Sequence, residues 1–155
     1  MKNPWKVIEG FNYSSVIECV YDLEAKGYKV SEWITDIAKN LEVKQHIYPI
    51  ELFRVKTSDL GFNDACKLKK IYEKFNSEGF STVSPEIAIL TRLLYDEQPN
   101  KEWLRIATPL ESMIDSDGIP HLPKLGKGLG MCFIETYWSY PDVIFHPHNE
   151  FVVSS

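Results

Sequence analysis

The chain has 155 residues, 44% of them apolar and 25% charged, with a net charge of −5. That composition belongs to a globular protein, excludes a disordered or fibrous one, and sets one domain over residues 1–155 as the expectation. Residues 1–83 carry 12 basic and 12 acidic side chains and residues 84–155 carry 5 and 10, so the C-terminal half is poorly suited to a phosphate backbone.

A first helix is expected over residues 15–26. Ser15 and Glu18 form a Ser-x-x-Glu capping box, Val16, Val20 and Leu23 make the apolar stripe, and Gly27 supplies a left-handed exit. A second helix starts after Ser31, with Ile34, Ile37 and Leu41 inward and Trp33 beside them, and is broken by His46 to Pro49. Ile50 to Lys56 is apolar on both faces, the pattern of an interior strand. After a loop at Asp59 to Asn63, a third helix runs from Asp64 to Ser77. Ala65, Leu68, Ile71, Tyr72 and Phe75 face inward, and Lys67, Lys69, Lys70 and Lys74 form its solvated side.

The clearest element is a buried helix from Ser84 to Tyr95. Ser84 is placed to cap it, Pro85 suits its first position, and Ile87, Ile89, Leu90, Leu93 and Leu94 form a broad apolar stripe. Pro99 and Asn100 stop it. Trp103 to Ala107 then alternates as a strand, with Leu104 and Ile106 on one face and Trp103 and Arg105 on the other. Asp115-Ser-Asp-Gly118 reads as a tight turn. Gly126, Gly128 and Gly130 read as a loop entering a strand, because no helix follows to aim N–H groups at an anion. In that strand, Leu129 to Trp138, the face carrying Phe133, Glu135 and Tyr137 opposes the face carrying Cys132, Ile134, Thr136 and Trp138. Pro141 to Asn149 is a connection and Phe151-Val-Val closes the sheet. The fold class is α+β: about four helices packed on a sheet with a C-terminal antiparallel meander.

From Tyr28 to Ser155 the chain resembles a group of small uncharacterised bacterial proteins. The likeness rests on Gly27-Tyr-Lys-Val-Ser-Glu-Trp, Ser58-Asp-Leu-Gly-Phe, Arg92-Leu-Leu-Tyr-Asp-Glu-Gln-Pro with Glu102-Trp-Leu-Arg-Ile-Ala, Asp115-Ser-Asp-Gly and Phe151-Val-Val. It departs at Leu122 to Lys127, and the N-terminal helix region, residues 1–27, lies essentially outside it. The resemblance implies one continuous domain and carries over no functional residue.

Cys19, Cys66 and Cys132 are odd in number and lack Cys-x-x-Cys spacing, which points to buried thiols in a reducing compartment. The N-terminus shows no signal-peptide run and no segment is apolar for ~18 residues, so the expectation is a cytoplasmic protein without a membrane span. Among polar clusters, His146-Pro-His148 aligns two histidines on an extended segment but has no third ligand at a diagnostic spacing, and the expectation is no metal and no cofactor. Asp115, Asp117 and Glu111 lack the remaining oxygens of a calcium loop. Glu135, Arg105 and His146 together match the carboxylate base, arginine and histidine acid of a metal-independent ribonuclease-like toxin. The helices flanking Gly79 have the length pattern of a DNA-binding helix-turn-helix. Tyr137, Trp138 and Tyr140 form an aromatic cluster at a strand end, the composition of a partner-binding patch. Without a nucleophile–base pair, metal spacing or nucleotide loop, the leading expectation is a non-catalytic accessory protein of bacterial or phage origin. Its partner is another protein, and nucleic acid is disfavoured.

Overall fold

The computed structural model describes residues 3–155; Met1 and Lys2 of the N-terminal stretch read above lie outside it. Strand β1 (Lys6–Ile8) leads into α1 (Val16–Ala25), β2 (Lys29–Val30) and α2 (Glu32–Ala38). Then come β3 (Ile50–Lys56), a 3-10 turn (Thr57–Leu60), β4 (Cys66–Lys67), α3 (Leu68–Ser77) and α4 (Pro85–Leu93). The chain ends with β5 (Trp103–Ile106), β6 (His121–Gly128), β7 (Met131–Trp138), β8 (Ile144–Phe145) and β9 (Glu150–Ser154). This is the expected α+β architecture, with four α-helices among the described residues, and β5-β6-β7 is the antiparallel meander.

Seven strands form one mixed sheet in the order β1-β3-β9-β5-β6-β7-β2. Only β5–β9 and β2–β7 run parallel. Alternation along the strands sends side chains to two different cores. On the first face Ile8, Leu52, Leu104, Ile106, Leu125, Ile134 and Val152 pack with α1, α2 and α4. On the second face Phe53, Val55, Leu122, Phe151 and Val153 pack with Leu68, Ile71 and Phe75 of α3 and with Phe145 of β8. The second face is covered over β3 and β9 but left open over β6 and β7, where Met131 and Glu135 are exposed.

Local chemistry explains most element ends. The Ser15 hydroxyl accepts from the Glu18 N–H at 3.3 Å, while the Glu18 carboxylate reaches back to Ser14 instead of Ser15, so the capping box is shifted by one residue on one side. Gly27 takes φ +91° to leave α1. Pro85 opens α4 as expected, but the Ser84 hydroxyl bonds the Glu86 carboxylate and caps no N–H.

Several expectations are corrected. The helix after Ser31 ends at Ala38, well before His46, and α3 starts at Leu68 because Cys66 and Lys67 pair with Phe145 and Ile144 in a two-stranded ribbon. The alternating glycines lie within and just beyond β6, not in a loop: Gly126 and Gly128 pair with Phe133 and Met131. Phe151 to Val153 does not close the sheet but runs in its middle, between β3 and β5. The helices flanking Gly79 do not form a helix-turn-helix. α3 packs on one face of the sheet and α4 on the other, and α4 is buried from Pro85 through Arg92, which leaves no face to enter a DNA groove.

Candidate functional site

The Arg92-to-Trp103 segment carries most of the resemblance motif, and the structure shows it to be a structural knot. Arg92, with 0% of its surface exposed, projects from α4 into the interior. Its Nη1 donates to Gln98 Oε1 at 2.7 Å and to the carbonyls of Phe133 at 3.0 Å and Gly126 at 3.1 Å, and its Nη2 donates to the Tyr95 carbonyl at 2.6 Å. No carboxylate pairs with it among the described residues; burial pulls its proton affinity below the ordinary arginine value. Gln98 in turn donates to the carbonyls of Glu102 and Leu125. Tyr95 donates to Glu102 at 2.7 Å and accepts from Arg54, and burial and then the Glu102 carboxylate push its hydroxyl up to about 12. These bonds lock residues 92–102 onto the β6–β7 hairpin and so fix the strands that bear the candidate site.

That site is a groove of about 1350 Å³ wrapping the outer edge of β7. β2 covers this edge only at Phe133 and Ile134. The Ser31 N–H donates to the Ile134 carbonyl at 3.0 Å, so the backbone of residue 134 faces the edge. By the period of two, the N–H and C=O groups of Thr136 and Trp138 face it too, and no strand among the described residues pairs with them there. Trp33, Trp138 and Tyr140 stand by this open edge, and Leu129 and Met131 line the groove at the β6–β7 turn end, beyond β2; all five are exposed. Glu32, Asp117 and Glu135 are exposed in the same wall and outnumber Lys29, making the rim acidic.

Leu129 is the most unusual of these. It occupies the first position of the two-residue β6–β7 turn at φ +51°, followed by Gly130 at +76°. Both residues of such a turn need positive φ, which suits Asn or Gly and costs another side chain about 1–2 kcal/mol. An apolar side chain held in that conformation with 104% of its reference surface in water stabilises nothing within the chain.

The floor of the groove holds a pair that the sequence did not single out. His121 Nε2 lies 2.7 Å from Asp115 Oδ2 and its Nδ1 lies 3.0 Å from Thr136 Oγ1, while Trp33 stacks on the ring at 5.6 Å. Asp115 also accepts the N–H groups of Asp117 and Ile119. The His121 contact first, and these N–H groups with it, hold its carboxyl below the ordinary aspartate value although burial opposes them. With His121 only 4% exposed, the pair pins the Asp115–Gly118 turn to β6 and β7, and Asp36 of α2 fastens the same turn by accepting from Ser116.

The sequence-derived site residues fall as follows. Trp138 and Tyr140 are exposed in the groove and Tyr137, half-buried, lines its second-face side. Arg105 and Glu135 share the second face but are separated by Lys124, in the register Arg105–Lys124–Glu135. His146 is exposed and its ring stacks on that of His148 at 5.9 Å. No hydrogen bond or ion pair joins any two of Glu135, Arg105 and His146, and no group of three or more metal-ligating side chains occurs among the described residues. The cysteines are unpaired, and no described helix is long and apolar enough to cross a membrane. Comparisons with known protein families, curated proteins and solved structures find no match.

Proposed function

We propose that the chain is a non-catalytic accessory protein that binds another protein, and that the β7 groove receives an extended segment of that partner. One observation carries the reading: an unpaired strand edge at Thr136–Trp138 bordered by exposed apolar side chains. An edge of this kind is a template for a further strand, with main-chain hydrogen bonds giving affinity and alternate side chains giving specificity. Trp33, Trp138 and Tyr140 supply rigid contact area of the type that dominates binding energy. The acidic rim favours a partner segment in which basic residues alternate with apolar ones. It disfavours a second copy of this chain, which would set Glu135 and Glu32 against their own images.

The test is selection of random peptides by display against the full chain, followed by binding measurements on the selected sequences. Selected peptides are expected to be basic and apolar. They should lose affinity about 1,000-fold against the Trp33→Ala/Trp138→Ala variant, given that aromatic anchors contribute about 2 kcal/mol or more each and about 1.4 kcal/mol is tenfold. N-methylation at alternate residues of the peptide should abolish binding in one register and spare it in the other. Failure to select any peptide, or equal binding to the double variant, would overturn the proposal.

A further inference from the structure

The open half of the second face carries two cations that make no ion pair among the described residues. Arg105 and Lys124 are register partners on β5 and β6. The Arg105 guanidinium lies over the rings of Phe145 at 5.3 Å and Tyr137 at 5.5 Å, and the Lys124 ammonium lies 4.3 Å from the Trp103 ring and 5.4 Å from that of Tyr137. Neither has a carboxylate within 4.0 Å among the described residues, Arg105 makes no hydrogen bond to the protein, and its Nε is buried without a partner. The contrast with the other two arginines is plain. Arg54 binds Glu150 through two bonds of 2.7 Å and Glu102 at 3.1 Å, and Arg92 holds four acceptors.

Burial, and for Lys124 also the neighbouring guanidinium, lowers the proton affinity of both cations, with Glu135 opposing the shift at Lys124 and Tyr137 at Arg105. Placing two like charges side by side, partly out of water, is unfavourable unless a negative group completes the arrangement. The chain has acidic residues in excess, yet none is paired with either cation. Glu135 is the register partner of Lys124, one strand spacing away and without direct contact. It stands two strand spacings or about 10 Å from the Arg105 column, so Arg105 is the cation left without a counter-charge.

We propose that Arg105 and Lys124 form a binding site for a phosphate monoester, with Trp103, Tyr137 and Phe145 as its aromatic walls. A phosphate monoester carries about −1.5 to −2 charges at pH 7, which matches two cations where a carboxylate matches one. The guanidinium fork takes two phosphate oxygens and the ammonium a third. The ring walls limit competing water and strengthen both contacts. Trp103, 37% exposed, is left for the organic part of the ester. The site lies on the sheet face and the partner groove on its edge; they share Tyr137 and Glu135, but neither Arg105 nor Lys124 lines the groove.

The experiment is a titration of the full chain, at fixed ionic strength, with sodium phosphate, adenosine 5′-monophosphate, adenosine and acetate, following the Arg105 Nε–H and Trp103 indole N–H resonances by ¹⁵N NMR. Phosphate and the monophosphate should shift the Arg105 signal; adenosine and acetate at equal concentration should not. Lys124→Gln should weaken the monophosphate about tenfold, Arg105→Lys similarly through loss of the fork, and Glu135→Gln should tighten it about twofold. Should an Arg105 variant fail to fold, Lys124→Gln and Glu135→Gln still decide the matter, since both side chains reach solvent. Equal response to acetate, an Arg105 signal unmoved by phosphate, or unchanged affinity in Lys124→Gln would each overturn the assignment.

Discussion

Replacing Arg92 with methionine tests whether the motif segment is structural. Methionine approximates the length of the buried side chain but offers no donors, so Gln98 Oε1 and the carbonyls of Tyr95, Gly126 and Phe133 all lose a partner. Each hydrogen bond lost from a charged donor is worth about 1.5–3 kcal/mol, a gross loss of roughly 6–12 kcal/mol for four. The Tyr95 carbonyl keeps the Gln98 N–H, however, and Gly126 and Phe133 keep each other in the β6–β7 ladder. Removing a buried cation returns several kcal/mol of desolvation, and the net expectation is a loss of about 3 kcal/mol. For a chain of this size that is a fall in Tm of roughly 6–12 °C. Urea unfolding followed by far-UV circular dichroism measures it, with an unchanged m-value showing that only stability has moved. Gln98→Leu should destabilise less, and the double variant should be non-additive by more than about 0.5 kcal/mol, because Gln98 relays the Arg92 contact to Leu125. An Arg92→Met variant within about 0.5 kcal/mol of the parent would refute the reasoning.

Leu129→Asn should raise stability by about 1 kcal/mol, because Asn tolerates the left-handed turn position, while weakening selected peptides; thermal melts and binding isotherms separate the two effects. Gly126→Ala should destabilise by about 1–3 kcal/mol, since its Cβ would lie 2.5 Å from the Phe133 ring and 2.7 Å from that of Trp103; an unshifted melt would contradict the packing described. The Asp115 carboxyl titrates below its ordinary value in the folded chain. Its contribution to stability is therefore complete above the unfolded-state value of about 4 and is lost as the pH falls through the lower folded value. Asp115→Asn should remove that part of the acid dependence, which denaturation midpoints measured from neutral pH down to acid will show.

Elements governed by local pattern were legible in the sequence. The stripe of Val16, Val20 and Leu23, the proline opening α4 and the two-faced apolar run of β3 each specify their structure through neighbours a few residues away. What was illegible depends on distant pairing. β6 contains Pro123 and two glycines, so it lacks strand composition and takes its conformation from β5 and β7 on either side. Phe151 to Val153 reads as a strand, but nothing local reveals that Arg105 will lie beside Phe151 and make it central.

The site was legible only in part. Tyr137, Trp138 and Tyr140 announce an aromatic cluster, whereas Trp33 joins it only because α2 docks beside β7. Asp115 reads as a turn residue; that His121 meets it follows from the hairpin folding back within six residues, a signal present in the sequence as an Asp and a His flanking a tight turn. Arg92 in an otherwise apolar stretch was the one visible sign of an internal cation.

The most direct test of the open edge is amide hydrogen exchange at Thr136 and Trp138, measured residue by residue in the free chain and with a selected peptide bound. Both amides should exchange freely when the chain is alone and become protected together in the complex, while the amides bonded to β6 stay unchanged. Protection of both in the free chain, or no gain of protection on binding, would contradict the account.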